Sequence, residues 1–187
     1  MKKSSLRTYV VLLRGINVGG HRKLPMADLR SLCAEAGHTS VATYIQSGNV
    51  VLRSSMDAPQ VQADLEERLL VRLDSAVPVV VRTRSELEYL VENPPFDMRD
   101  LDPAKVVVMF SSTTLDSPLA TIDAAGFAPE RVAATAHELI LDLPEGQGRS
   151  KLAAAVAKTA MGKAATGRNW RTVLKLLEMT KSVDLAD

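Results

Sequence analysis

Thr8 to Leu13 carries an unbroken apolar run, YVVLL, after its first residue. A continuous run, unlike an alternating one, predicts a strand covered on both faces or nearly so. The period then changes. Beyond Pro25, the residues Met26, Leu29, Leu32, Cys33 and Ala36 recur at helical spacing, and Gly37 stops the stripe. This predicts an amphipathic helix opened by a proline, whose fixed φ and missing N–H do no harm in a first turn. "VATYIQSGNVVLRS" predicts two strands joined by a tight turn at Gly48-Asn49 or Ser47-Gly48. Pro59 begins a second helix, with Val61, Leu65, Leu69 and Leu73 on its buried side. "VPVVVRT" is a further strand. Ser85 with Glu88 forms a capping box for a third helix, which Pro94-Pro95 ends.

"FDMRDLDPA" is polar, contains a proline and lacks periodicity, so it reads as a linker. After it the order restarts. "KVVVMF" is a strand, Ser117-Pro118 opens a helix that ends at Gly126, and "RVAATAHELILDL" is a hairpin turning near Ala136-His137. "GRSKLAAAVAKTAMG" is a helix closed by Gly162. A short strand at Ala164 to Thr166 leads into a last helix with Trp170, Val173, Leu174 and Leu177 on one side. The two halves share an element order but almost no residue identity. The expected architecture is α+β: tandem duplicated ferredoxin-like (βαββαβ) units, each with an added helix. The first unit and its helix take residues 1–95, a linker 96–104, and the second unit with the C-terminal helix 105–187. Either the units cover each other's open sheet faces, or the second extends the first sheet.

Composition narrows the function. A net charge of +1 gives no strong field to draw the chain onto duplex nucleic acid or an anionic membrane. Cys33 is the only cysteine, which excludes an internal disulfide and a thiolate zinc site; it reads as a small core hydrophobe. His21, His38 and His137 stand in unrelated contexts with no metal-ligand pairing, so neither metal nor other cofactor is expected. His38, just past a helix end, reads as a solvated cap. The apolar run near the N-terminus is short and broken by Arg14, and no stretch is long enough to cross a bilayer. A cytoplasmic protein is the expectation, with its oligomeric state open.

Chemistry concentrates in polar stretches that interrupt this plan. "RGINVGGHRK" places Arg14, Asn17, Gly19, Gly20 and His21 in one glycine-rich loop after a buried strand. The spacing matches neither a dinucleotide fingerprint nor a phosphate-binding P-loop, so the loop is either a ligand contact or only a turn. "EGQGRSKL" puts Arg149, Ser150 and Lys151 in a helix's first turn. Cations are disfavoured at that end of the dipole unless an anion joins them: a phosphate, a carboxylate or a neighbouring acidic side chain. "TGRNWR" adds Arg168 and the N-cap Asn169, with Trp170 expected in the core. "YIQSGNV" adds Gln46, Ser47 and Asn49, although serine and asparagine are also what a turn requires. Brought together, the RGINVGG, GRSK and GRNW segments would form a cationic pocket for a small phosphate- or carboxylate-bearing ligand. Whether it performs a reaction stays open. One alternative is a nucleic-acid or protein interaction module, although Tyr9, Tyr44 and Phe110 lack an RNA-reading motif around them. The other is that these segments are structural only.

The segments "LLRGINVGGHRKLPMADLR", "TYIQSGNVVL", "GRSKL" and "RNWRTVLKL", in this order, resemble the signature of the bacterial domain-of-unknown-function family numbered 1697. The resemblance spans essentially the whole chain. It implies an α+β fold with a duplicated ferredoxin-like arrangement and brings no activity with it. The family-like positions include Arg14, Asn17, Gly19, Gly20, Gln46, Ser47, Asn49, Arg149, Ser150, Lys151, Arg168 and Asn169. Gly167 stands where the family pattern has threonine, which argues against a hydroxyl role there.

Overall fold

A computed structural model describes residues 5–20, 22–114 and 122–184. The chain is mixed α+β, with two four-stranded antiparallel sheets and, among the described residues, six α-helices.

The first sheet holds β1 (Arg7–Leu13), β2 (Thr39–Tyr44), β3 (Asn49–Ser54) and β4 (Val79–Thr83), in the order β2-β3-β1-β4. Between them run α1 (Met26–Glu35) and α2 (Ala58–Leu73), and α3 (Arg84–Glu92) follows β4. Tyr9, Val11, Leu13, Val50, Leu52, Val79 and Val81 share a core with Leu29, Leu32 and Cys33 of α1 and Val61, Leu65 and Leu69 of α2. The strand residues follow a period of two and the helix residues steps of three and four, so one face of each element is buried. Val10, Leu12, Val51 and Val80 are buried as well, so β1 is covered on both faces, as its unbroken run predicts. Each such side chain contributes about 1.5–3 kcal/mol.

The second sheet holds β5 (Val106–Phe110), β6 (Arg131–Ala134), β7 (Glu138–Asp142) and β8 (Thr166–Asn169), in the order β6-β7-β5-β8. α4 (Lys151–Lys158) and α5 (Ala160–Ala164) precede β8, and α6 (Trp170–Asp184) follows it. Val107, Leu139, Leu141, Leu143, Leu152 and Val156 form its core cluster.

Several local details differ from the expectations. The first hairpin turns over four residues, 45–48, because Asn49 already pairs with Tyr44 and its amide spans the turn to Tyr44 O and Ser47 Oγ. The box at α3 is formed by Thr83 and Glu86, while Glu88 pairs instead with Arg84 one turn back. Gly162 does not close a helix. Thr159 breaks the chain into α4 and α5, its hydroxyl accepting from Gly162 N, and Gly162 lies inside α5. The eighth strand begins at Thr166 rather than ending there, paired with β5. Leu174 is exposed and Leu176 is buried in its place. The expected helix start at Ser117-Pro118 lies outside the described residues; Gly126 falls within a 3-10 turn, Ala124–Phe127.

The chain divides into two compact units: Met1–Tyr89 with Lys175–Asp187, and Leu90–Leu174. The expectation gave the whole last helix to the second half. Its last turns belong to the first unit, because Asp184 accepts from Thr8 Oγ1 of β1 and pairs with Arg84 at 2.5 Å. The expected linker is part of the second unit: Asp97 caps a 3-10 turn at Met98–Asp100, and the Arg131 guanidinium lies 4.7 Å from the Phe96 ring centre.

Candidate functional site

The site residues expected from sequence fall in both units. In the first unit, the loop between β1 and α1 is held by one side chain. Asn17 adopts φ 54, its Nδ2 donates to Leu24 O at 2.9 Å and Gln46 O at 2.8 Å, and its Oδ1 accepts from Leu24 N at 2.8 Å. Asparagine tolerates this left-handed backbone better than most residues and can bond in both directions at once. The amide thus ties the loop to the neighbouring hairpin. Gly48 tightens the same junction: its carbonyl accepts from Leu13 N, and a Cβ there would lie 2.8 Å from Ile16 Cδ1 and Leu13 Cβ. Asn49, the first residue of β3, is fully buried and closes the turn. Asn17, Ser47 and Asn49 therefore build the corner. Arg14, Gly19, Gly20 and Gln46 remain partly or fully exposed on it, and the Arg14 side chain makes no ion pair among the described residues. His21 lies outside the described residues.

In the second unit, Ser150 caps α4, its Oγ accepting from Ala153 N at 2.8 Å. The amide of Leu152 donates to Glu130 Oε2 at 2.9 Å. The helix start therefore already has an anion, the last of the three kinds expected there. Arg149 and Lys151 are exposed and, among the described residues, make no ion pair. Both line a cavity of about 290 Å3 together with Phe127, Ala128, Pro129 and Pro144 and the two acids Glu130 and Glu145. Glu130 was invisible in the motif reading: it lies about twenty residues upstream, and only the fold brings it to α4.

Arg168 is buried in β8 rather than projecting. Its Nη1 donates to Thr166 Oγ1 at 2.8 Å and to Gly167 O at 2.7 Å, and burial pushes its pKa down to about 10. Asn169 caps α6, accepting from Thr172 N at 2.9 Å. Trp170 is buried, as its helical stripe predicts.

Two buried titratable groups lie away from these segments. Cys33 is in the core and burial pushes its thiol up to about 12, so it is inert at neutral pH. His38 is also buried, contrary to the expected solvated cap. Its Nδ1 is 3.1 Å from Ser54 Oγ and its Nε2 has no hydrogen-bond partner. A wider groove of about 750 Å3 runs between α1 and α2. Its arginines are already matched, Arg68 to Asp64 and Arg72 to Asp28, which makes it a solvated helix face. No group of three or more His, Cys, Asp or Glu that could hold a metal ion occurs among the described residues. None of the described helices is long and apolar enough to cross a membrane.

A two-sheet α+β protein is the class these features define. Residues 6–139 match the family described as Protein of unknown function (DUF1697), and the chain belongs to that family. Its fold is similar to that of the conserved bacterial protein SP0830 from Streptococcus pneumoniae, with a TM-score of 0.79 and 26% identity over 94% of this chain and 99% of that one. Among curated proteins, none matches.

Proposed function

We propose that the protein binds a small anionic ligand, carrying phosphate or carboxylate, at the cavity beside α4. The observation that carries this reading is the pairing of Arg149 and Lys151 on one cavity, both exposed and without an acidic partner among the described residues. Arg149 and Lys151 flank the cap residue Ser150 at the positive end of α4, where Glu130 already receives the Leu152 amide; an incoming anion would neutralise the two cations that Glu130 leaves unpaired. The wall of Phe127, Ala128 and Pro129 would exclude water from one side of such a ligand. Arg168 is too buried to join it. We further propose that each sheet with its helices is a ferredoxin-like unit, the two in tandem; the matching strand orders support this. A cytoplasmic location fits the single buried cysteine.

A structural reading holds for Ser150 and Asn169, because each already caps its own helix. The test therefore targets the cations. Melting temperatures should rise with inorganic phosphate, a nucleotide or a sugar phosphate, and not in an Arg149→Ala/Lys151→Ala variant. Ligand at a hundred times its dissociation constant adds about 2.7 kcal/mol. Equal responses from both proteins would remove the proposal.

A further inference from the structure

The corner of the first unit, where the β1–α1 loop meets the β2–β3 turn, carries a second feature. Val18 and Ile45 flank the Asn17–Gln46 bond and stand in solvent, 65% and 51% exposed. Five non-glycine residues have positive φ among the described residues, and four of them lie in this corner or the adjoining loop: Asn17, Arg22, Ile45 and Asp74. Arg22 Nε bonds Ser75 Oγ at 3.1 Å, which joins that loop to the others. Asparagine and aspartate accept a left-handed backbone at little cost. Isoleucine does not, since its branched Cβ crowds the following carbonyl at φ 48. Here a strained backbone holds an aliphatic side chain in water, so neither backbone energy nor burial explains it within the chain. Strain and exposed apolar surface kept together mark a place where a partner supplies the missing burial.

The charges around these side chains say what kind of partner. Residues 14–25 and 45–48 contain Arg14, Arg22 and Lys23 and no aspartate or glutamate; the adjoining loop brings one acid, Asp74, so the cations still outnumber it. Arg14 and Lys23 make no ion pair among the described residues. The anchors are aliphatic. Single-stranded nucleic acid is gripped by aromatic stacking as well as cations, and these two stretches hold no phenylalanine, tyrosine or tryptophan. Apolar knobs inside a cationic rim instead match an acidic protein segment bearing aliphatic side chains.

We propose that this corner is a docking surface for such an acidic, aliphatic-bearing segment of a partner protein. Val18 and Ile45 are its apolar anchors, and Arg14 and Lys23 its charge rim. The inference is independent of the α4 cavity, which lies in the other unit. The probe is a fluorescein-labelled peptide of alternating glutamate and leucine, followed by anisotropy with the full chain. An all-glutamate peptide of equal length and an oligothymidylate serve as comparisons. The mixed peptide should bind at least tenfold more tightly than either and weaken as salt is added. Arg14→Ala/Lys23→Ala and Ile45→Asn should each lose about tenfold, the arithmetic of 1.4 kcal/mol. Ile45→Asn should at the same time raise the melting temperature by about 2 °C, because asparagine relieves the strain. Absence of binding, unchanged affinity in Ile45→Asn, a lowered melting temperature in that variant, or preference for oligothymidylate would each overturn the proposal.

Discussion

Asn17 holds three backbone groups with one amide, and nothing of similar size can replace it. Alanine would leave Leu24 N and both carbonyls without that partner and would also sit uneasily at positive φ. Asn17→Ala should cost about 2 kcal/mol, read as a lower urea midpoint with an unchanged slope. A loss below a few tenths would mean that water serves those groups as well. His38 gives a pH signature. Burial holds its pKa below the ordinary histidine value, with Asp64 opposing and Arg68 assisting, and only the Ser54 hydroxyl bonds the ring. The unfolded chain titrates near 6.5, so it takes up protons before the native state does. The His38 contribution is thus complete above about pH 6.5 and is lost as pH falls toward the native value. Melting curves of wild type and His38→Gln should converge on acidification from pH 8 to 5; parallel curves would show that the ring titrates over the same pH range in the folded and unfolded states. The two residues differ in how far sequence exposed them. Asn17 stood out within a glycine-rich loop. The burial of His38 did not, because a position just past a helix looks solvated until a strand closes over it.

Thr159 and Gly162 decide where α4 ends and α5 begins. A Cβ at Gly162 would lie 2.0 Å from Val156 O, so the glycine lets α5 start against the last turn of α4. In an ordinary helix, glycine to alanine is stabilising by up to about 1 kcal/mol. Here the sign should reverse: Gly162→Ala should destabilise by about 3 kcal/mol, since the clash is with backbone that cannot swing away. Thr159→Ala should cost about 1 kcal/mol through loss of the cap. Chemical denaturation of both variants separates the two effects, and a stabilised Gly162→Ala would show that the helices form one continuous rod. The periodicity of LAAAVAKTAMG is compatible with either arrangement, because alanine favours a helix wherever it falls and leaves no polar stripe to mark a break. The strands were easier to place. VVLL, NVVL, VVV and ELIL carry strong β-branched and aliphatic runs, and their register follows from which residues can be buried. Capping boxes were legible as a type but not in place, since Thr83/Glu86 and Ser85/Glu88 satisfy the same rule two residues apart.

Chain order and compact unit do not coincide in this protein. The second sheet is complete at β8, yet Lys175–Asp187 belongs with the residues of the first. That stretch contributes Leu176, Leu177 and Val183 as buried apolar groups, a fully buried Thr180, and the carboxylate that receives Thr8 and Arg84. A duplication read from element order assigns the last helix to the half it follows. Only long-range bonds reveal otherwise, and hydrophobic spacing carries no information about which unit a helix completes. At 26% identity the fold of SP0830 is retained, so the pattern of buried positions matters more than residue identity. The consequence is measurable. In a chain ended after Leu174, the first unit loses that apolar cover, and Arg84 keeps only Glu88. Hydrogen exchange should then speed up most in β1, β3 and β4, while β5 and β7 keep more of their protection. The opposite result, with the first sheet as slow as in the whole chain and the second one loosened, would assign the last turns of α6 to the unit in which the helix begins.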